Sequence, residues 1–169
     1  MKKTLNVPFF PQTDNHHNPN GACNVTSIAM ALWFLGIRGD SSQSQIEDQF
    51  YVWMIKNGLS RHNPYDLVKL VNSKGKRDEF TVKGSIDLIK RHIDTGFPVV
   101  VHGFFTRSGH IIEIHGYDNK GFICHDPYGD YKDRYTSTVF NGSNVHYTYA
   151  LITKICNPDP EFWVHFIEH

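Results

Sequence analysis

The spacing of apolar residues changes character once along this chain, and that change limits its fold more than any other feature. Up to about residue 95, apolar positions recur at steps of three and four. Val25, Ile28, Ala29, Leu32, Trp33 and Leu35 mark a helix that starts near Cys23 and ends near Gly36. A second helix is expected from Gln43 to Asn57, with Ile46, Phe50, Trp53 and Met54 on one side and Gly58 as its stop. Asn63-Pro64 opens a third, with Leu67, Leu70 and Val71 inward. A fourth spans Ser85 to Thr95, carries Ile86, Ile89 and Ile93, and is ended by Gly96. From residue 97 the pattern becomes β-branched and extended: FPVVVHGFF (97–105), HIIEIHGYD (110–118), GFICHDP (121–127) and HYTYALITKI (146–155) read as strands. Helices first and an antiparallel meander after them predict an α+β fold, with N-terminal helices packed on a C-terminal antiparallel sheet. The aromatic end, EFWVHFIEH, is expected to dock on that body.

Composition narrows the function classes. The 169 residues suffice for one domain with a real core, so 1–169 is expected to be a single domain. Lys+Arg and Asp+Glu are both 17, which gives no net charge to draw the chain onto nucleic acid or an anionic membrane. Neither is expected as a partner, and a monomer is expected. No apolar run approaches the ~20 residues of a membrane span. The start, MKKTLNVPFFPQ, has no apolar segment of signal-peptide length. The chain is therefore expected to be cytoplasmic as synthesised, with lysis as a route to the cell wall. Cysteines at 23, 124 and 156 form neither a disulfide framework nor a CxxC zinc pattern.

Cys23 stands out among the three. It follows Gly21 and heads an apolar helix, where unpaired backbone N–H groups and the helix dipole favour a thiolate, the attacking form. A thiol nucleophile needs a base, and the base needs an orienting group. His110 begins the strand HIIEI, and Asp126 ends the next one, 16 residues on. An even separation lets the two share a face of a hairpin, given a loop of odd length centred near Asp118. A two-residue turn would place them on opposite faces. Asp126 would accept an imidazole N–H and leave the other ring nitrogen to Cys23. A backbone N–H beside Cys23 would be one oxyanion donor, and Gln12 is the candidate for the second. Read alone, Gln12 is better taken as an ordinary exposed loop glutamine.

The order Cys, His, Asp in GACNVTS, SGHIIEIHGYD and GFICHDPYG resembles the papain-like peptidases of the C39 type. More narrowly, it is similar to the stand-alone C39-like proteins of bacteria and their phages. VPFFPQTDN, GLSRHNPYDL and the terminal FWVHFI extend the resemblance over nearly the whole chain. It implies a papain-like cysteine peptidase fold, with Cys23 as nucleophile, His110 as general base and acid, Asp126 as orienter and Gln12 as oxyanion donor. One departure stands out: ten residues separate Gln12 from Cys23, more than in the papain and bacteriocin-processing branches. The loop TDNHHNPNGA must fold back for Gln12 to reach the site.

Competing chemistries fit less well. His102, His110, His115 and His125 crowd into neighbouring strands with Cys124 and Asp126, but parity sends His110 and His115, and His125 and Asp126, to opposite faces of a straight sheet. Asp14, Asn15, Asn18 and Asn20 lack EF-hand spacing and read as Asx-stabilised turns rather than a calcium loop. No metal or cofactor is expected. Cys124 reads as a buried strand thiol and Cys156 as a loop residue. Tyr128 and Tyr131 either wall the cleft or pack on the sheet. The function expected is hydrolysis of peptide bonds through a thioester acyl-enzyme, on a peptide or peptidoglycan-peptide substrate, as in a wall-cutting lysin. The alternatives are an intracellular peptidase, an acyltransferase using the same intermediate, and a catalytically silent binding module of the same fold.

Overall fold

A computed structural model describes residues 1–40, 44–135 and 141–169. Its elements, in chain order, are β1 (Lys3–Thr4), a 3-10 turn (Gln12–Asp14), α1 (Cys23–Phe34), α2 (Ile46–Lys56), α3 (Pro64–Ser73), β2 (Arg77–Thr81), α4 (Ile86–Asp94), β3 (Val99–Gly103), β4 (His110–Tyr117), β5 (Gly121–His125), β6 (Val145–Thr148), α5 (Tyr149–Cys156) and β7 (Val164–Glu168). The described strands form one antiparallel sheet, six of them in the order β2-β7-β3-β4-β5-β6. β1 pairs with the far end of β4, beyond the stretch that β3 covers.

The sheet separates two cores. On one side lie α1, α2 and α3, with Val25, Ile28, Leu32, Phe50, Met54 and Leu70 against Val100 and Ile111. On the other, Ile89 and Ile93 of α4 and Ile152 and Ile155 of α5 meet Val101, Ile112 and Phe122. α1 is enclosed almost all round: every residue from Asn24 to Leu32 is buried. An apolar helix without a polar face is stable only at the centre of a protein, where other elements cover each side. Ser27 Oγ donates to the Ile111 carbonyl at 3.0 Å, which fixes the depth of α1 against β4. α3 and α4 start where their caps predict, with Asn63 accepting from Tyr65 N–H and Ser85 from Leu88 N–H. α2 starts at Ile46; the expected start, Gln43, lies outside the described residues.

Three expectations need correction. HYTYALITKI is not one strand: it turns from β6 into α5 at Thr148, whose side chain accepts from Leu151 N–H. Ile152, Ile155 and Cys156 keep helical spacing and go inward, which overrides the alternation seen in the first four residues. Cys156 therefore closes a helix and is buried, and is not a loop residue. The C-terminal segment does more than dock: β7 is an interior strand between β2 and β3, and β2 was not foreseen.

The third correction concerns the β4–β5 hairpin, which decides where His110 and Asp126 meet. Asp118 N–H donates to the Gly121 carbonyl at 3.0 Å, so the turn has two residues and not the odd-length loop expected. A regular hairpin on that turn would put His110 and Asp126 on opposite faces. Parity is restored by a bulge: Tyr117 pairs with Phe122 and Gly116 with Ile123, but Ile114 pairs with Cys124. His115 is the extra residue. Gly116 beside it has to be glycine, because a Cβ there would stand 2.8 Å from the Lys3 carbonyl oxygen of β1.

Candidate active site

Cys23 is the first residue of α1, and no side chain caps that helix end. Val25 N–H donates to Asn24 Oδ1 at 2.9 Å, while the N–H of Cys23 meets no side-chain acceptor among the described residues, as an oxyanion site needs. Cys23 is partly exposed, whereas Cys124 and Cys156 are buried. Burial holds the thiols of Cys124 and Cys156 above their ordinary range, and the carboxylates of Glu113 and Asp126 add to the effect at Cys124. Neither is suited to thiolate chemistry. Arg61 Nη1 donates to the Gly21 carbonyl at 2.9 Å, and Asn24 Nδ2 to the Arg61 carbonyl at 3.1 Å. This exchange ties the loop before α3 to the turn that carries Cys23.

The bulged hairpin brings His110 to Asp126: Nε2 lies 2.8 Å from Oδ1, and the two side chains are 5% and 0% exposed. Phe105, Tyr128 and Tyr135 surround the imidazole, with ring centroids 5.8, 6.2 and 5.6 Å away. Nε2 is committed to the carboxylate, so Nδ1 is the nitrogen left for a thiol. Burial pulls the imidazole pKa down, but the charges of Asp126 and Cys23 outweigh it and raise the value to about 10.

Asp126 is held by more donors than the sequence suggested. Its Oδ1 also accepts from Tyr128 N–H at 3.0 Å. Its Oδ2 accepts from the hydroxyls of Tyr135 at 2.6 Å and Tyr147 at 2.7 Å. Burial, then the Asp126 charge, keeps both phenols protonated well above their ordinary range. A fully buried carboxylate with four donors is fixed in place and stays an acceptor. Neither Tyr135 nor Tyr147 was a candidate. The only signal for Tyr147 was its place in an alternating strand, which names a face and not a partner. Of the two tyrosines that follow Asp126, Tyr128 lines the cleft and Tyr131 joins the core.

Gln12 is not an exposed loop glutamine: it is 1% exposed. The TDNHHNPNGA loop does fold back. Gln12 N–H donates to the Pro127 carbonyl at 2.8 Å, and Nε2 to the Pro19 carbonyl at 3.2 Å, while Oε1 has no partner among the described residues. Asn15 Nδ2 donates to Thr26 Oγ1 at 2.9 Å, and the N–H groups of His16 and His17 donate to Asp48. One amide hydrogen of Gln12 is thus engaged within the loop, and its side chain is not part of the cleft lining. The cleft itself has a volume of about 500 Å³, and its walls include Cys23, His110, Gly21, Arg61, His102 and Trp163.

One group has the composition of a metal site among the described residues: Glu113, His115 and His125, whose ligand atoms lie within 4.8 Å of one another. Protein groups already engage all four ring nitrogens. His115 meets Glu113 Oε2 and Asn144 Oδ1, each at 2.9 Å. His125 Nε2 meets the Val7 carbonyl at 2.8 Å, and its Nδ1 accepts from Asn144 N–H at 3.1 Å. The cluster is a hydrogen-bonded network that latches the segment before β6 onto the β4–β5 hairpin.

Comparison with known proteins identifies the family and the fold. The Peptidase_C39 like family model matches residues 4–155. A C39-like peptidase candidate from Bacillus anthracis superimposes with a TM-score of 0.60 at 17% identity, over 100% of this chain and 98% of that one. A double glycine motif protease from an AMS/PCAT transporter, solved with its leader peptide, gives 0.59 at 15% identity, over 98% and 93%. No curated protein matches the chain. At these identities the two structures speak for the fold, a mixed helix and antiparallel-sheet architecture. The family match spans most of the sequence, and the chain belongs to the C39-like peptidase family.

Proposed function

We propose that the protein is a cysteine peptidase that hydrolyses peptide bonds through a thioester, with Cys23, His110 and Asp126 as a triad. The observation that carries this reading is the 2.8 Å contact of His110 with a buried Asp126, on an imidazole whose other nitrogen is left for Cys23. His110 takes the thiol proton, and Cys23 Sγ attacks the substrate carbonyl carbon. The tetrahedral oxyanion is met by the N–H of Cys23 at the head of α1, and Gln12 is the second donor once its side chain turns from the Pro19 carbonyl into the cleft. His110 then protonates the leaving amine, and the C–N bond breaks. Water, deprotonated by His110, releases the acid and restores the thiol. Asp126 keeps the proton of the neutral ring on Nε2 and stabilises the imidazolium. With the imidazole held up to about 10, the acid form persists through neutral pH, so hydrolysis should fall as pH rises through that region and not near 6.5.

For substrate we put peptides of the bacterial cell wall first, supported by the resemblance to stand-alone bacterial and phage proteins. An intracellular peptide is the second choice. The test is incubation with purified peptidoglycan and with a mixed peptide library, followed by mass spectrometry of new ends. New amine ends from peptidoglycan support the first choice, and cleavage in the library alone the second. Rapid alkylation of Cys23 by iodoacetamide with no hydrolysis of either would sink the peptidase reading and leave a binding module.

A further inference from the structure

The proposed reaction leaves two histidines of the cleft, His62 and His102, without a role, and His102 is the less exposed of them. His102 lies on β3 opposite Ile111, next to Gly103, which pairs with His110. It lines the same cleft as Cys23 and His110. Its Nε2 lies 2.9 Å from Nε2 of the buried His165. His165 Nδ1 in turn lies 2.7 Å from Asp78 Oδ2, and both of those side chains are fully buried. A carboxylate, an imidazole and a second imidazole thus run in line from the interior to the cleft.

The two facing nitrogens can bond only if one carries a hydrogen and the other a lone pair. Asp78 decides which. Its Oδ1 is buried without a partner, and among the described residues His165 is the one side chain that donates to it. A doubly protonated His165 ring would serve this sparsely held carboxylate and His102 together, and that arrangement is the one the inference takes up. In that arrangement His165 would donate from Nδ1 to Asp78 and from Nε2 to His102. His102 then accepts at Nε2 and carries its own proton on Nδ1. Burial, followed by the His165 charge, holds the His102 pKa down to about 3, so the ring stays neutral. Packing fixes its orientation: His165 stacks at 5.1 Å, Trp163 packs edge-on at 5.6 Å and Phe80 lies at 6.0 Å. Nδ1 has no hydrogen-bond partner among the described residues.

We infer that His102 is a substrate-positioning residue whose Nδ1–H, fixed by the Asp78–His165 pair behind it, donates to a backbone carbonyl of the peptide bound beside Cys23. The inference rests on the peptidase reading for its substrate, but not for its tautomer. An Nδ1–H ring held from behind by a cation has no lone pair for a metal and no proton to exchange at neutral pH. A carbonyl oxygen is the acceptor that an extended peptide offers at every residue.

Two measurements test it. Nitrogen-15 NMR of the wild type should show His102 as the Nδ1–H tautomer, unchanged from pH 5 to 9. An Nε2–H tautomer, or titration near 6.5, overturns the inference whether or not the protein is a peptidase. The second measurement uses the peptide that the wild type cleaves in the library. His102→Gln keeps an amide near the Nε2 position and loses the Nδ1 donor. It should raise KM about tenfold with little change in kcat, the scale of one lost hydrogen bond. His102→Asn places an amide donor near Nδ1 and should recover most of that loss. A substrate series with one carbonyl at a time reduced to methylene should show a single position whose removal costs the wild type and not His102→Gln. Equal penalties in both enzymes at every position, or an unchanged KM in His102→Gln, would leave His102 a packing residue. Iodoacetamide labelling of Cys23 at the wild-type rate in both variants separates a lost contact from a damaged catalytic centre.

Discussion

Two buried histidines lie five residues apart on β4, and each meets a buried carboxylate at nearly the same distance. His110 is 2.8 Å from Asp126, and His115 is 2.9 Å from Glu113. Chemically the pairs are alike, and what separates them is the second nitrogen of each ring. At His115 it is taken up by Asn144 Oδ1, so the pair is closed on itself. At His110 it is left open beside a partly exposed thiol at the head of α1. A histidine–carboxylate pair becomes a candidate base only where the fold leaves its far nitrogen unfilled.

The largest expected effects test that contrast directly. Cys23→Ala and His110→Ala should each lower hydrolysis by ~10⁴-fold or more, because groups that act as a unit fail together. Cys23→Ala should melt close to wild type, since it removes little volume. His115→Ala should do the reverse. It strands the Glu113 carboxylate, whose Oε1 already lacks a partner among the described residues, and should cost about 3–5 kcal/mol of stability in urea. Its kcat below the melting range should stay within a few-fold of wild type. A folded His115→Ala that cannot hydrolyse, beside an active His110→Ala, would invert the assignment.

Smaller effects sharpen the account of the open pair. Asp126→Asn should cost about 10³-fold in kcat, less than loss of His110, because an amide still holds the ring although it can select the wrong tautomer. Gln12→Ala should lower kcat by ~10²-fold and move KM less, since an oxyanion contact strengthens as charge develops. Unchanged kcat in Gln12→Ala would mean that its amide remains on the Pro19 carbonyl throughout turnover.

Local features were readable in the sequence, and long-range pairings were not. The start of α1 at Cys23, the Asn63 and Ser85 caps and the β3–β4–β5 meander follow from spacing and end signals within a few residues. The insertion of β7 between β2 and β3 depends on pairings across some 90 residues, such as Arg77 with Glu168, and no local signal specifies those. The His110–Asp126 contact shows how a correct expectation can rest on the wrong geometry. Parity suggested an odd loop, whereas the chain makes a two-residue turn and inserts a bulge at His115. The tyrosines that hold Asp126 were invisible for a related reason: hydroxyls reach the carboxylate through the fold and not through a motif.

The smallest effect is the pH dependence of the closed pair, and it asks whether that pair is ionic. Burial alone would lower the His115 pKa, but the Glu113 charge and the contacts with Glu113 and Asn144 raise it above 6.5. A histidine raised in the folded state contributes stability that is fully present below its unfolded value, ~6.5. That contribution is lost as pH rises through the folded value. Two other histidines on this hairpin also titrate. His110 shares the sign, with its loss near 10, while His125 is held low by burial and works in the opposite direction. A matched reference removes both contributions. In Glu113→Gln/His115→Gln the pair is uncharged, no stranded carboxylate remains, and His110 and His125 are retained. The stability of the wild type relative to this double variant, from urea unfolding at pH 6 and pH 9, should shrink at the higher pH. A difference that stays flat across the interval would mean that His115 is neutral in the fold. The contrast on β4 would then lie in charge as well as in the open nitrogen.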